Sequence, residues 1–178
     1  MMKNNKIIIS GPPGSGKTTI INELKNRGYL TRKEINPSDL NKKQTKNQLS
    51  NYIFKKRLDQ YNELTTKNAA NNDEDILKQL IFFDRSTIDV IAYLNMWNEK
   101  YPLEWDKIIH KYRYMKHVFY TPNWKDIYKE TNLRPENYQK AKKIDLFLRQ
   151  AFLKYNYNII EVPKLNIKER VDFILNSL

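Results

Sequence analysis

Residues 6–18 read Lys6-Ile7-Ile8-Ile9-Ser10-Gly11-Pro12-Pro13-Gly14-Ser15-Gly16-Lys17-Thr18, and this stretch decides the fold. The run Ile7 to Ile9 predicts a buried parallel strand over Lys6 to Ser10, because strands covered on both faces read as continuous apolar segments. From Lys17 onward Ile20, Ile21 and Leu24 recur at helical spacing, and Gly28 follows a basic last turn as a C-cap. Between strand and helix, Gly11 to Thr18 satisfies G-x-x-x-x-G-K-[ST] in the context that gives the motif its physical meaning. Glycines let the backbone N–H groups turn inward around phosphate oxygens, and the helix N-terminus adds positive potential at the same point. The motif therefore assigns nucleotide binding to Gly11, Pro12, Pro13, Gly14, Ser15, Gly16, Lys17, Thr18 and Thr19. Lys17 would reach the β- and γ-phosphates of ATP or GTP, and the Thr18 hydroxyl would ligate Mg²⁺.

Outward from this core, strand and helix patterns alternate. Tyr29 to Ile35 predicts a second strand, and Asn36-Pro37-Ser38-Asp39 breaks the chain before a long helical region. In that region Leu49, Tyr52, Ile53, Leu58, Tyr61 and Leu64 approximate one face. Further strands are expected at Gln79 to Asp84, His117 to Tyr120 and Asn158 to Val162, with helices over Ser86–Asn98, Pro102–Tyr112, within Arg134–Tyr155, and over Ile167–Leu175. Alternation of this kind implies an α/β architecture with a parallel sheet and right-handed crossovers. One domain over residues 1–178 is expected, with a helical insertion at about 38–78 on the substrate side and a lid at about 123–140.

Composition excludes several function classes. The chain contains no cysteine, which removes disulfides, thiolate metal sites and cysteine nucleophiles, and His110 and His117 alone cannot build a multi-histidine zinc centre. No apolar run approaches the ~20 residues of a membrane span, and the N-terminus lacks a secretory signal, so a cytoplasmic location is expected. The formal net charge of +12 invites a nucleic-acid reading. It competes with a plain compositional bias, because the sequence holds 24 lysines and 21 asparagines against 8 arginines, as an AT-rich genome would produce. The charge does concentrate in Leu40 to Leu58, where Lys42, Lys43, Lys46, Lys55, Lys56 and Arg57 stand without an acidic residue, a stretch that would face an anionic substrate, a membrane surface or solvent.

Three further signals concern chemistry. Phe82-Phe83-Asp84-Arg85-Ser86 delivers a carboxylate and a guanidinium to the strand end where open α/β sheets bind ligands. Asp84 would hold a magnesium-bound water or accept the proton of an attacking hydroxyl, and Arg85 would neutralise phosphate charge, with Asp89 a weaker candidate in the next helical turn. Glu34, after the second strand, would bind acceptor hydroxyls or serve as the base. Residues Asn123 to Arg134 mix cationic and aromatic side chains in a position that suits a lid, with Arg134 as its transition-state cation and Lys140 in support.

Taken together, Gly11 to Thr19, Glu34, Phe82-Phe83-Asp84-Arg85, Asp89, Ala92-Tyr93, Tyr112-Arg113-Tyr114, Val118-Phe119, Thr121-Pro122, Trp124, and the tail from Tyr155 through Ile160, Val162-Pro163 and Arg170 to Leu175 resemble a known group. It is that of the small P-loop kinase-like proteins grouped as AAA-type ATPase domains, which include the nicotinamide riboside kinase domains of bacterial NAD-metabolism regulators. The resemblance implies a P-loop NTPase fold of nucleotide-kinase type, a three-layer α/β/α sandwich on a five-stranded parallel sheet with a helical lid, and ATP–Mg²⁺ chemistry on a small hydroxyl or phosphate acceptor. Ser86 stands where these relatives often carry glycine, which brings Asp84-Arg85-Ser86 closer to deoxynucleoside kinases. The expectation is an ATP- and Mg-dependent phosphotransferase acting on a nucleoside-like molecule. A nucleotide-dependent switch with slow hydrolysis and a polynucleotide-end kinase are the competing readings, and a nucleic-acid partner is not favoured.

Overall fold

The computed structural model describes residues 4–37, 44–69, 80–124 and 138–178. Five parallel strands form one sheet: β1 (Lys6–Ser10), β2 (Leu30–Arg32), β3 (Ile81–Asp84), β4 (His117–Tyr120) and β5 (Asn158–Glu161), in the order β2-β3-β1-β4-β5. The strand carrying the glycine loop is thus central, with Ile9 in register with Asp84 on one side and Phe119 on the other.

Six helices are described: α1 (Lys17–Asn26), α2 (Lys46–Ala69), α3 (Thr87–Met96), α4 (Glu104–Lys111), α5 (Tyr138–Lys154) and α6 (Ile167–Asn176). The pleat sends alternate strand residues to opposite faces, and each face meets its own helices. Ile8, Phe83, Val118 and Tyr120 pack against Phe54 of α2, Ile88 and Ile91 of α3, Trp105 and Ile109 of α4, and Leu148 and Phe152 of α5. Ile7, Ile9, Phe82 and Phe119 pack against Ile20, Ile21 and Leu24 of α1 and Val171 and Ile174 of α6. The result is the expected three-layer α/β/α sandwich. Among the described residues no helix is long and apolar enough to cross a membrane.

β1 and β4 have the bounds that the sequence predicts, and the remaining elements differ by a few residues at their ends. Two departures have physical causes. β2 is three residues long where seven were expected. It is an edge strand paired only with β3, so after Arg32 the chain peels away and carries Glu34 off the sheet. In α2 the inward face runs through Ser50, Phe54 and Arg57 rather than through Leu49, Tyr52 and Leu58, which are only half-buried or partly covered. That face closes over a polar cavity, and apolar periodicity cannot register a buried serine or arginine. Residues 38–43 and 70–79 of the expected insertion, and 125–137 of the expected lid, lie outside the described residues.

Gly11 joins β1 to the loop at φ +147°, and a Cβ built on it would stand 2.2 Å from the Thr121 carbonyl oxygen and 2.3 Å from Thr121 Oγ1. Backbone atoms of the β4 end cannot withdraw without breaking the ladder. Gly11→Ala is therefore expected to lower unfolding stability by about 2–4 kcal/mol, from overpacking together with backbone strain. Urea unfolding followed by circular dichroism measures it, and an unchanged midpoint would contradict the close approach.

Candidate active site

The glycine loop lies at the carboxyl end of the sheet. Gly14 and Gly16 adopt φ +76° and +87°, left-handed conformations that carry the chain around the turn and into α1. Gly16 is the N-cap of α1 and offers no side chain to its amides; the first turn contains no acidic residue. The N–H groups at this helix start are left for an anion. Thr18 and Thr19 are exposed beside them.

Polar contacts hold the loop to its neighbours. Ser15 Oγ donates to the Pro12 carbonyl at 2.8 Å and shares a 2.6 Å hydrogen bond with Thr121 Oγ1, which also donates to the Ser10 carbonyl at 3.2 Å. From the far side, Arg170 of α6 donates through Nη2 to the Ser15 carbonyl at 3.1 Å while its guanidinium lies 5.7 Å from the Trp124 ring centre. The sequence gave no chemical reason to single out Arg170; a buried arginine in an amphipathic helix facing a glycine loop is the signal that would have found it.

Lys17 is buried, and its ammonium donates to the Pro12 carbonyl at 2.7 Å and to Ser15 Oγ at 3.4 Å. Burial pushes its pKa down to about 7, and the Arg85 charge adds to the effect, with Asp84, Glu34 and Asp89 opposing. Thr18 Oγ1 donates to Asp84 Oδ2 at 3.4 Å. The other oxygen, Asp84 Oδ1, is buried without a hydrogen-bond partner among the described residues, and burial raises the carboxyl's pKa above its ordinary value. An unsatisfied carboxylate oxygen beside a hydroxyl, both hard oxygen donors, fits a Mg²⁺ ion that takes its remaining ligands from water and phosphate.

Arg85 stands at the junction. Its backbone is left-handed, at φ +71°, and its buried guanidinium donates through Nε to Glu34 Oε1 at 2.6 Å and through Nη1 to the Gly11 carbonyl at 3.2 Å. Nη1 also lies 3.6 Å from Asp89 Oδ1. Desolvation works to raise the Glu34 pKa, but the charges of Arg85, Lys17 and Arg57 prevail and hold it down at about 2, so the half-exposed carboxylate is ionised across the physiological range.

Asp89 is saturated. Oδ1 accepts from Ser10 Oγ at 2.5 Å, and Oδ2 accepts from the Ser86 amide at 2.8 Å and Ser86 Oγ at 2.9 Å, completing the capping box that starts α3. Arg57, grouped by the sequence with a solvent-facing basic run, instead turns inward, donating through Nη1 to the Ser86 carbonyl and lying 4.0 Å from Asp89 Oδ2. A cavity of about 240 Å³ opens next to this cluster, with Glu34, Arg57, Arg85 and Asp89 on its polar side and Tyr93 and Trp97 among its apolar walls.

The structure thus brings together the loop, Lys17, Thr18, Glu34, Asp84, Arg85 and Asp89. Asp84 is paired with Thr18 and does not line the cavity, whereas Glu34 does. Arg134 lies outside the described residues, and Lys140 is exposed in the first turn of α5.

A parallel sheet in this order, with a glycine loop feeding a helix from the central strand, defines a P-loop fold of the nucleoside and nucleotide kinase type. A protein-family model described as an AAA domain matches residues 6–170, and the chain belongs to that family. Among solved structures the chain is similar to deoxyadenosine kinase from M. mycoides with bound dATP, at 20% identity and a TM-score of 0.65 over 97% of each chain. It is similar to thymidylate kinase from Candida albicans at 13% identity and a TM-score of 0.59, over 98% of this chain and 91% of that one. The YorR protein of Bacillus subtilis in complex with phosphorylated GDP aligns at 15% identity and a TM-score of 0.58, over 97% and 94% of the two chains. No curated protein matches the sequence.

The Lys17 environment gives a pH dependence with a definite sign. Phosphate binding favours the ammonium form. Below pH 7 that form is already present, whereas above it binding must take up a proton. The dissociation constant of a nonhydrolysable Mg·nucleotide is expected to rise as pH climbs above 7, by up to about tenfold per unit. Lys17→Met should weaken binding and flatten the profile. Calorimetric titration measures both, and a flat wild-type profile would contradict the assignment.

Proposed function

We propose that the protein is a phosphotransferase that moves the γ-phosphoryl group of ATP, with Mg²⁺, to a hydroxyl of a small nucleoside-like acceptor. One observation carries the reading: Glu34 lines a closed-sided cavity while Arg85, which holds it, also holds the Gly11 carbonyl of the phosphate loop. Donor loop and acceptor cavity therefore share one guanidinium. The solved structures similar in fold carry the names of a deoxyadenosine kinase and a thymidylate kinase, which supports a nucleoside-like acceptor class. The sequence resemblance to nicotinamide riboside kinase domains places nicotinamide riboside on the same panel.

In this reading the loop amides and Lys17 bind the donor phosphates, and Thr18 with Asp84 holds Mg²⁺, which when bound neutralises charge on the phosphate oxygens. Glu34 positions the acceptor hydroxyl. With a pKa near 2 it is a weak base, suited to a loose transfer in which the proton leaves late. Arg85 fixes that carboxylate and adds positive potential beside the reacting phosphoryl. Arg134, Lys140 and the 123–140 segment are proposed as the closing lid. The single-domain organisation and a cytoplasmic setting belong to the same proposal.

Three measurements test it. Mg·ATP at about a hundred times its dissociation constant should stabilise the wild-type protein by about 2.7 kcal/mol in thermal unfolding, and Lys17→Ala should abolish the effect. Glu34→Gln should reduce kcat by about 10²- to 10⁴-fold with nucleotide affinity intact. Asp84→Asn should instead raise the Mg²⁺ concentration needed for half-maximal rate. Should Glu34→Gln retain full transfer while Asp84→Asn loses it at every Mg²⁺ concentration, the two carboxylates have exchanged roles. Transfer to DNA or RNA ends with steep salt dependence and none to nucleosides would favour the polynucleotide-end reading.

A further inference from the structure

The cavity contains a buried cation whose hydrogen-bonding capacity the protein does not use. Arg57 lines it at 5% exposure, yet only Nη1 is engaged, by the Ser86 carbonyl and by Asp89. Nε has no partner among the described residues, and Nη2 donates to none of them. Buried donors are almost always satisfied, so an unused guanidinium edge beside a cavity marks the place of a ligand's acceptor atoms. Asp89, held by Ser10, Ser86 and Arg85, keeps the guanidinium in place and has no oxygen left for a ligand.

We propose that Arg57 reads the acceptor's ring, its unused Nε–Nη2 edge taking a carbonyl oxygen flanked by an unprotonated ring nitrogen, so that guanine-type and cytosine-type nucleosides are selected over adenine-type ones. The inference rests on the acceptor-pocket reading above. Nε–H and the neighbouring Nη2–H form a planar fork matched to two adjacent acceptors, the geometry by which arginine recognises guanine O6 and N7. Cytosine presents the equivalent pair in O2 and N3. Adenine puts an amino donor next to each ring nitrogen on its accessible edges, which sets donor against donor. The remaining polar groups do not rescue it: Asp89 is saturated, Glu34 is committed to Arg85 and the hydroxyl, and Ser50 donates or accepts equally and so does not discriminate. Tyr93 and Trp97 supply flat apolar surface for the ring itself.

The test uses the full chain. Binding by calorimetry and transfer from Mg·ATP are measured separately for deoxyguanosine, deoxycytidine, deoxyadenosine and the deaza analogue of whichever base is preferred. The wild type should favour an oxo base over deoxyadenosine by at least about a hundredfold in kcat/KM, because a site built around a hydrogen bond rejects ligands that lack it. The deaza analogue should lose about tenfold in affinity. Arg57→Lys and Arg57→Gln should compress the oxo-to-adenine ratio towards unity through KM, with Mg·ATP affinity unchanged. The deaza comparison on wild-type protein needs no variant, so it decides the matter even if both substitutions unfold the chain.

Equal use or preference of deoxyadenosine, or a ratio that survives both substitutions, overturns the role of Arg57 and leaves phosphotransfer standing. Selective binding of oxo bases without transfer supports Arg57 and overturns the phosphotransferase reading. Failure of every nucleoside to bind overturns both.

Discussion

The site depends on one buried guanidinium. Arg85 is charged, nearly inaccessible, and forced into a left-handed backbone, three conditions that a protein sustains only where surrounding structure compensates. Compensation comes from three parts of the chain: Glu34 beyond β2, the Gly11 carbonyl at the end of β1, and Asp89 in the first turn of α3. Breaking a buried pair of this kind costs about 3–5 kcal/mol, because the partner charge is left without compensation. The strain at Arg85 and the geometry of the site are therefore one feature.

From that constraint the functional division follows. Asp89 passes the anchoring onward, accepting from Ser10 and Ser86 and facing Arg57, so the ends of β1 and β3 and the inward face of α2 share a single network. On one side of Arg85 lie the glycine loop, Lys17 and Thr18; on the other lies the cavity. Charges there are nearly balanced, two arginines against Glu34 and Asp89, which suits an uncharged acceptor approaching an anionic donor. Lys17, by contrast, is short of negative charge close by and loses proton affinity through burial, a deficit that bound phosphate would reverse. Arg170 and Thr121 brace the loop from behind, linking it to α6 and β4.

Much of this was legible in the residues. Strand periods, the glycine motif and the Asp84-Arg85 strand end are local patterns, and they placed the sheet and the donor loop before any coordinates. Glu34 and Asp89 were identifiable as acids near strand ends, although not which of them would face a cavity. Arg57 was misread because charge runs are judged by composition, and a helix that covers a polar cavity buries its arginine at the same spacing at which others bury leucine. The shortened β2 escaped for a related reason: edge position is a property of the whole sheet, and residues 33–35 look as strand-like as 30–32. Arg170 came into view only when α6 packed beside α1 and met the loop.

The central claim is that one guanidinium couples a donor loop to an acceptor cavity, and the fate of the γ-phosphoryl group tests it most directly. ATP labelled at the γ-phosphate would be followed with Mg²⁺ in the presence and absence of a nucleoside panel. The account predicts that label moves into a nucleoside monophosphate and that little inorganic phosphate forms without an acceptor. Release of label to water at the same rate with and without every acceptor would contradict it and identify a hydrolytic switch instead.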